Sequence, residues 1–200
     1  SDAGLLLIKE FAAKIGFTKL IKKKFKTNDK SVRFHKDHEN LLQMIYQVIS
    51  AYFQDDCTDE LTLDPVFHAV LDKESLASQP TLSRFFNRMD EDTLVQFDDI
   101  DKNLRDIIYS IKRPEHMLLD LDSTLFGTYG KQEGEGFNFH YQAHGYHPLL
   151  CYDGLTGDLI KAELRDGTLH CSNGADKFME SIFQEYLERG IKTYLRGDSG

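Results

Sequence analysis

Two carboxylates stand two residues apart in an otherwise apolar stretch of the chain, Met-Leu-Leu-Asp-Leu-Asp-Ser-Thr at residues 117–124. In a strand, residues two apart point to the same face, so Asp120 and Asp122 are expected to project together. Burying an unpaired carboxylate is costly. Three interpretations stay open: a bound cation neutralises the acids, they lie at a solvated strand end, or the strand is a hairpin edge.

A second strand is predicted at residues 191–195. It is followed directly by Arg196-Gly-Asp198-Ser-Gly, which contains another carboxylate. Gly197 and Gly200 flank Asp198 and let the backbone approach a ligand closely. Two strand-borne carboxylates from distant parts of a sequence suit a hard divalent cation with oxygen ligands. Because such ions activate water and stabilise leaving oxygens, the pair favours phosphoryl transfer.

The first half of the chain is predicted to be helical, because its apolar residues recur at spacings of three and four. The predicted helices cover 5–15, 17–26, 37–53, 65–71 and 94–111, with two more that start at Thr58 and Thr81. Val48 and Ile49 are expected to be buried in the third of these helices, and Val95, Ile107, Ile108 and Ile111 in the last. Lys112-Arg-Pro114 ends the last helix, which predicts a domain boundary at residue 113.

Two sets of residues in this helical half are candidates for DNA contact. The helix that starts near Thr81 fits the second helix of a helix-turn-helix, with Thr81, Ser83, Arg84, Asn87 and Arg88 facing DNA. Short helices joined by turns occur in any helical domain, so ordinary packing is the alternative. Lys22, Lys23 and Lys24 on the second helix form either a phosphate-contacting surface or a solvated helix face.

The second half changes to strands. Three antiparallel strands are predicted first, at 117–124, at 137–147 continued by 149–152, and at 159–164. A fourth is predicted at 191–195, with a glycine-rich turn at 127–136 and a helix from Gly174 or Ala175 to Arg189. The order is β-β-β-α-β, and the fold class is α+β. His140, His144, His147 and Cys151 do not converge as zinc ligands on a strand. Ordinary packing is favoured, and the alternative is that His144 or His147 lies near the metal pocket or the DNA backbone.

Composition is that of a globular protein, with 40% hydrophobic and 28% charged residues. The net charge is −9, but residues 1–50 carry ten Lys and Arg against five Asp and Glu, whereas residues 51–100 carry three against twelve. This asymmetry could place DNA on one face. No apolar run reaches the roughly 18 residues of a membrane span, so a cytoplasmic location is expected. Three cysteines without a Cys-x-x-Cys spacing argue against a disulfide framework or a zinc ribbon.

Four motifs in this order resemble the DDE transposases of bacterial insertion sequences, in their cut-and-paste branch. They are Leu-Leu-Asp-Leu-Asp122-Ser-Thr, Tyr129-Gly-Lys-Gln-Glu-Gly, His144-Gly-Tyr-His-Pro-Leu and Leu195-Arg-Gly-Asp198-Ser-Gly. The N-terminal segments Asp2-Ala-Gly-Leu-Leu and 76–84 also resemble that family. The resemblance implies an RNase H-like catalytic domain, in which the first and last strands lie side by side and parallel. This side-by-side arrangement of the two strands would bring Asp122 and Asp198 together.

By this resemblance Asp122 and Asp198 are the first two catalytic acids and hold two Mg²⁺ or Mn²⁺ ions. Asp120 is either a helper metal ligand or a hydrogen-bonded structural acid, and Arg196 binds either a phosphate or a carboxylate. The family's third acid is a glutamate on a helix further downstream. The sequence stops at Gly200, before any such glutamate. We therefore expect either an incomplete chain or a decayed element, and in both cases a chain that is inactive alone.

The resemblance further implies phosphodiester hydrolysis at the element's ends, followed by strand transfer into target DNA. The partners are double-stranded DNA, at terminal repeats and target, and a second copy in a homodimer, with no membrane contact. Residues 1–113 are expected to form a helical DNA-binding or assembly domain, and 114–200 the N-terminal part of the catalytic domain. The alternatives are a nuclease of the same fold and a non-catalytic DNA-binding or assembly fragment.

Overall fold

A computed structural model describes residues 2–54 and 56–197, and the chain divides into two compact units, Ser1–Ser110 and Ile111–Gly200. The first unit is helical and the second contains two β-sheets and a helix. The fold is therefore α+β, as predicted. Among the described helices, none has the length and apolar character needed to cross a membrane.

The helical unit starts with a short 3₁₀ turn at Asp2–Gly4. Among its described residues, the α-helices that follow are α1 Leu5–Lys14, α2 Phe17–Lys24, α3 Asp37–Ile49, α4 Cys57–Leu61, α5 Pro65–Leu71, α6 Gln79–Phe86 and α7 Glu91–Ile111. Two apolar clusters form its core. Leu5, Tyr46 and Phe67 belong to the first, and Ile21, Phe85 and Ile100 belong to the second.

Helix starts differ from prediction where polar side chains satisfy backbone groups. The N–H of Thr93 donates to Asp90 Oδ1 at 3.1 Å and the N–H of Asp90 donates to Thr93 Oγ1 at 2.7 Å, so α7 begins three residues before Leu94. Thr58 was expected to cap a helix. It instead lies inside α4, where its hydroxyl accepts a hydrogen bond from Gln47 Nε2 at 2.9 Å.

Several apolar helix residues that were predicted to be buried are exposed: Val48, Ile49, Val95, Ile108 and Ile111. On α7 the core contacts come from Phe97, Ile100 and Leu104, in the first two-thirds of the helix. Helix α3 ends at Ile49, earlier than predicted, and Ala51 adopts a left-handed backbone with φ of 66°. Helical periodicity predicted these helices correctly, but it did not show how far along each helix the core extends.

The larger sheet of the second unit has the strand order β6-β5-β1-β7. Its strands are β1 His116–Ser123, β5 Leu149–Asp153, β6 Leu159–Glu163 and β7 Lys192–Gly197, and helix α8, Ala175–Glu188, precedes β7. Strand β5 is antiparallel to β1 and β6, whereas β7 lies beside β1 and runs parallel to it. The predicted β-β-β-α-β order and the parallel pairing of the first and last strands are confirmed.

A second, three-stranded sheet with the order β2-β4-β3 lies between β1 and β5 in sequence. Its strands are β2 Phe126–Gly127, β3 Gly136–Asn138 and β4 Ala143–Tyr146. The prediction of one strand over 137–147 was wrong. Asn138 breaks it, because its Oδ1 accepts the N–H groups of His140 at 3.0 Å and Tyr141 at 3.3 Å and so stabilises a turn.

Candidate active site

The candidate site is built on β1, which is hydrogen-bonded on both sides. Its register places Asp120 beside Arg196 of β7 and Asp122 beside Leu150 of β5. Because strand side chains alternate, Asp120 and Asp122 lie on the same face of the sheet, as predicted from their spacing. Asp198, the second predicted acid, lies outside the described residues.

Both carboxylate oxygens of Asp120 contact Arg196. The Nε of Arg196 donates to Oδ1 at 2.7 Å, and a second guanidinium nitrogen contacts Oδ2. Gly154 leaves room for this carboxylate, since a Cβ atom there would lie 2.4 Å from Oδ2. Of the two roles weighed for Arg196, the structure therefore contains the carboxylate pairing, which joins the side chains of β1 and β7 across the sheet.

Asp122 is in a different environment from Asp120, because its carboxylate is exposed. Its Oδ1 accepts a hydrogen bond from the N–H of Ser123 at 2.7 Å. Within residues 2–54 and 56–197, no cationic side chain pairs with it. An exposed carboxylate without a cationic partner suits a divalent ion. The same described residues contain no group of three or more His, Cys, Asp or Glu side chains that could hold a metal ion.

The small sheet reaches the strand end that carries Asp122. The hydroxyl of Tyr141 donates to the carbonyl oxygen of Ser123 at 3.0 Å, and its ring packs edge-on against His147 at 5.6 Å between centroids. Tyr141 was not among the predicted site residues, because residues 137–147 were expected to form one strand. Asn138 could have indicated the turn that interrupts this strand, since asparagine is common in turns.

Of the histidine and cysteine candidates, His144 and His147 have structural partners, and Cys151 is buried. The Nδ1 of His144 lies 3.0 Å from Glu135 Oε2, and the ring is exposed. His147 is buried, and its Nδ1 donates to the carbonyl oxygen of Leu169 at 2.7 Å. Burial, together with the charges of nearby carboxylates, raises the pKa of the Cys151 thiol to about 11, so the thiol stays protonated at neutral pH.

The predicted DNA-contacting residues fall into two groups. Ser83, Arg84 and Asn87 of the α6 region and Lys22 and Lys23 of α2 are exposed, and Thr81 is half-buried. Arg88 instead pairs with Asp37 at 3.0 Å, and Lys24 pairs with Asp99 at 3.1 Å. Lys22, Lys23 and Arg84 are therefore the predicted cations that remain available to DNA phosphates.

The sequence and fold together define the class of protein: the chain belongs to the DDE transposases. The particular family is described as Transposase DDE domain group 1, and it matches residues 1–200. The resemblance seen in the four motifs is thus confirmed at the level of the family. Among curated proteins, none matches the chain significantly.

Two solved structures show similarity to the chain. One is a cryo-EM structure of a piggyBac transposase synaptic complex with hairpin DNA, with a TM-score of 0.36, 14% identity and coverage of 98% of this chain and 49% of that one. The other is a crystal structure of a pre-cleavage Mos1 transpososome, with a TM-score of 0.25, 11% identity and coverage of 86% and 56%. The chain spans about half the length of these proteins.

Proposed function

We propose that the chain contains the helical domain and the first part of the catalytic domain of a cut-and-paste transposase from an insertion sequence. It would hydrolyse a phosphodiester at the element's ends. The freed 3′-hydroxyl would then attack a phosphodiester of target DNA, and the 3′-oxygen of the target strand would leave. The parallel pairing of β1 and β7, with Leu121 beside Gly197, carries this proposal. Asp122 and Asp198 are the next residues in sequence after that pair, and we propose that both serve as metal ligands.

Asp122 and Asp198 would hold two Mg²⁺ or Mn²⁺ ions, whose chemistry is to activate the attacking water and stabilise the leaving oxygen. The chain's own contribution is to position the ligands. Asp120, proposed as a helper ligand, would have to leave Arg196 to bind a metal ion directly. Its pairing with Arg196 supports a positioning role instead, because the ion pair joins side chains of the two paired strands β1 and β7.

The helical domain, residues 1–113, would bind double-stranded DNA at terminal repeats, and the assembled protein would be a homodimer in the bacterial cytoplasm, at the nucleoid. The exposed side chains of Lys22, Lys23 and Arg84 support this part of the proposal. So does the excess of basic over acidic residues in the first fifty positions. These cations add affinity without sequence preference, because they release the counterions of DNA phosphates.

Metal binding is expected to need both Asp122 and Asp198. Loss of an outer-shell partner of a metal site already weakens metal affinity by about 10–100-fold, so loss of a direct ligand should weaken it at least about tenfold. Calorimetric titration of Mn²⁺ into the chain and into Asp122→Asn and Asp198→Asn variants measures this. Asp120→Asn would test the helper role separately.

Glu180→Gln is the matched control, because Glu180 is an exposed carboxylate on α8 of the same unit. Its Mn²⁺ titration should match that of the unmodified chain. Equal Mn²⁺ affinity in all variants would contradict the shared metal site. Absence of binding in the unmodified chain would favour the DNA-binding or assembly fragment instead.

Lys22 and Lys23 are expected to contribute to the salt dependence of DNA binding. Each phosphate contact adds about 0.9 to the slope of log K against log salt, so the double variant Lys22→Gln/Lys23→Gln should lower its magnitude by about 1.8. Duplex binding measured at several salt concentrations gives the slope. The charge-matched control is Lys9→Gln/Lys14→Gln, whose lysines on α1 already pair with Asp72 and Glu10.

An unchanged slope in the Lys22/Lys23 variant would mean that the lysine face of α2 is only solvated. An equal decrease in the control would show that net charge, and not position, determines binding.

A further inference from the structure

Ser123, the last residue of β1, follows the proposed metal ligand Asp122, and both of its backbone groups bind side chains. Its N–H donates to Asp122 Oδ1 at 2.7 Å, and its carbonyl oxygen accepts a hydrogen bond from the Tyr141 hydroxyl at 3.0 Å. In a strand, the N–H and C=O of one residue point to the same side. The Asp122 carboxylate and the Tyr141 hydroxyl therefore meet the same side of the Ser123 backbone.

The strand end around Ser123 is less enclosed than the rest of β1. Among the described residues, the pairing with β7 ends at Leu121 and Gly197, whereas the pairing with β5 continues to Ser123 and Leu149. Past Leu121, the described part of the chain thus gives β1 a paired strand on one side only. Backbone groups at such a position need other partners. The side chains of Asp122 and Tyr141 are the partners of Ser123.

The Asp122 carboxylate is held through Ser123. Asp120, on the same face of the sheet, has contacts to Arg196 at both of its carboxylate oxygens. Asp122 is exposed, and the hydrogen bond from the Ser123 N–H is the one that the described residues give its carboxylate. Groups that orient a metal ligand raise the affinity of the site for the metal ion. A contact that fixes the Ser123 backbone therefore also orients Asp122.

The backbone of Tyr141 is held in place by a buried residue of β3. Asn138 is 4% exposed, and its Oδ1 accepts the N–H groups of His140 at 3.0 Å and Tyr141 at 3.3 Å. Its Nδ2 donates to the carbonyl oxygen of Gly167 at 2.9 Å. The turn that carries Tyr141 is thus fixed to the loop at 165–169 by a side chain that has partners at both ends.

The ring of Tyr141 is held as well. It packs edge-on against the ring of His147, with 5.6 Å between centroids. His147 is 2% exposed, and its Nδ1 donates to the carbonyl oxygen of Leu169 at 2.7 Å. Backbone and ring of Tyr141 are therefore both anchored to buried groups of the same unit. A side chain that is already ordered loses little conformational entropy when its hydroxyl binds Ser123.

We propose that Tyr141 is a positioning residue, which orients the Asp122 carboxylate for metal binding through the backbone of Ser123. This inference rests on the proposed function, in which Asp122 is a metal ligand. Tyr141 does not bind the metal ion itself. Its hydroxyl holds the Ser123 carbonyl, the Ser123 N–H holds Asp122 Oδ1, and Oδ2 remains for the ion. The small sheet thereby supports a site that the larger sheet carries.

Tyr146 provides a matched control for this contact. It lies on β4 of the same small sheet, and its hydroxyl also donates to a backbone carbonyl, that of Glu133, at 2.7 Å. Tyr141→Phe and Tyr146→Phe therefore remove the same atom and the same kind of hydrogen bond. Only the bond from Tyr141 leads to Asp122. A difference between the two variants at Asp122 thus reports position, and not the loss of a hydroxyl as such.

The first measurement needs no metal ion. Nuclear magnetic resonance of the isotope-labelled chain reports the amide hydrogen exchange of Ser123, which is slowed while Asp122 holds the N–H. Tyr141→Phe should accelerate this exchange about two- to tenfold, the range that one hydrogen bond supplies. Tyr146→Phe should leave it unchanged. Unchanged Ser123 exchange in Tyr141→Phe would overturn the proposal, whether or not the chain binds a metal ion.

The second measurement is calorimetric titration of Mn²⁺ into the unmodified chain and both variants. Outer-shell partners of a metal site contribute about 10–100-fold to affinity, and Tyr141 acts one bond further away, so Tyr141→Phe should weaken Mn²⁺ binding about two- to tenfold. Tyr146→Phe should match the unmodified chain. Undiminished Mn²⁺ affinity in Tyr141→Phe would overturn the proposal and leave the metal site standing, because Tyr141 would then support only the fold. If the unmodified chain binds no Mn²⁺, the proposed metal site fails, and the Ser123 exchange alone decides whether Tyr141 orients Asp122.

Discussion

Replacing Asp37 with alanine is expected to lower the free energy of unfolding by about 3 kcal/mol, the lower end of the cost of breaking a buried ion pair. The Asp37 carboxylate accepts the N–H of Thr27 at 2.9 Å, the Thr27 hydroxyl at 2.7 Å and a guanidinium nitrogen of Arg88 at 3.0 Å. The two charged side chains are only 12% and 14% exposed. Alanine would leave the Arg88 charge without its carboxylate partner, although Arg88 would still donate to the Arg84 carbonyl oxygen, and it would remove the acceptor of both Thr27 donors.

The stabilisation by Asp37 should depend on pH. Burial raises the pKa of its carboxyl, but hydrogen bonds from Thr27 and Arg88 outweigh that effect and hold the pKa below its ordinary 3.8. A depressed pKa stabilises the folded state fully above the unfolded value, and this stability is lost as the pH falls through the folded value. The difference between the unmodified chain and Asp37→Ala should therefore stay constant down to about pH 4 and shrink below it.

Urea unfolding followed by far-ultraviolet circular dichroism, at pH 7 and at several values below 4, measures both effects. Asp99→Ala is the control, because Asp99 forms an exposed pair with Lys24, and such pairs contribute about 0–1 kcal/mol. A similar small loss in both variants would show that the Asp37 network does not stabilise the unit. A difference that persists to low pH would show that Asp37 acts through packing and not through charge.

The order of helices and strands was largely predictable from the sequence, because apolar periodicity reports which face of an element is buried. The same periodicity misjudged the ends of α3 and α7, where Ile49 and Ile111 are exposed. An apolar residue at a helical spacing is buried only where another element covers it. That information comes from tertiary contacts and is not contained in the local pattern.

The candidate site was predictable only in part. The spacing of Asp120 and Asp122 correctly placed both acids on one face, but it did not distinguish them. Their difference depends on the register of β1 and β7, which puts Arg196 beside Asp120 and leaves Asp122 exposed.

Gly167→Ala is expected to destabilise the second unit by about 2 kcal/mol, within the usual range for inserting an atom into packed structure. A Cβ atom at Gly167 would lie 1.8 Å from the carbonyl oxygen of Gly145 and 2.8 Å from backbone atoms of Gly136. These contacts are with backbone, so rotation of a side chain cannot relieve them. The small sheet or the loop must move, which would also strain the bond from Asn138 Nδ2 to the Gly167 carbonyl at 2.9 Å.

Gly127→Ala provides the matched control within the small sheet, because a Cβ atom at Gly127 would have nothing within 4 Å. Alanine there should leave stability unchanged or raise it by about 0.4–1 kcal/mol, since it restricts the unfolded chain. Thermal unfolding of the two variants beside the unmodified chain compares them directly. Equal midpoints for Gly167→Ala and Gly127→Ala would contradict the close backbone packing. A lower midpoint for Gly167→Ala alone would establish that the small sheet is held against the loop at 165–169 by contacts that only glycine permits.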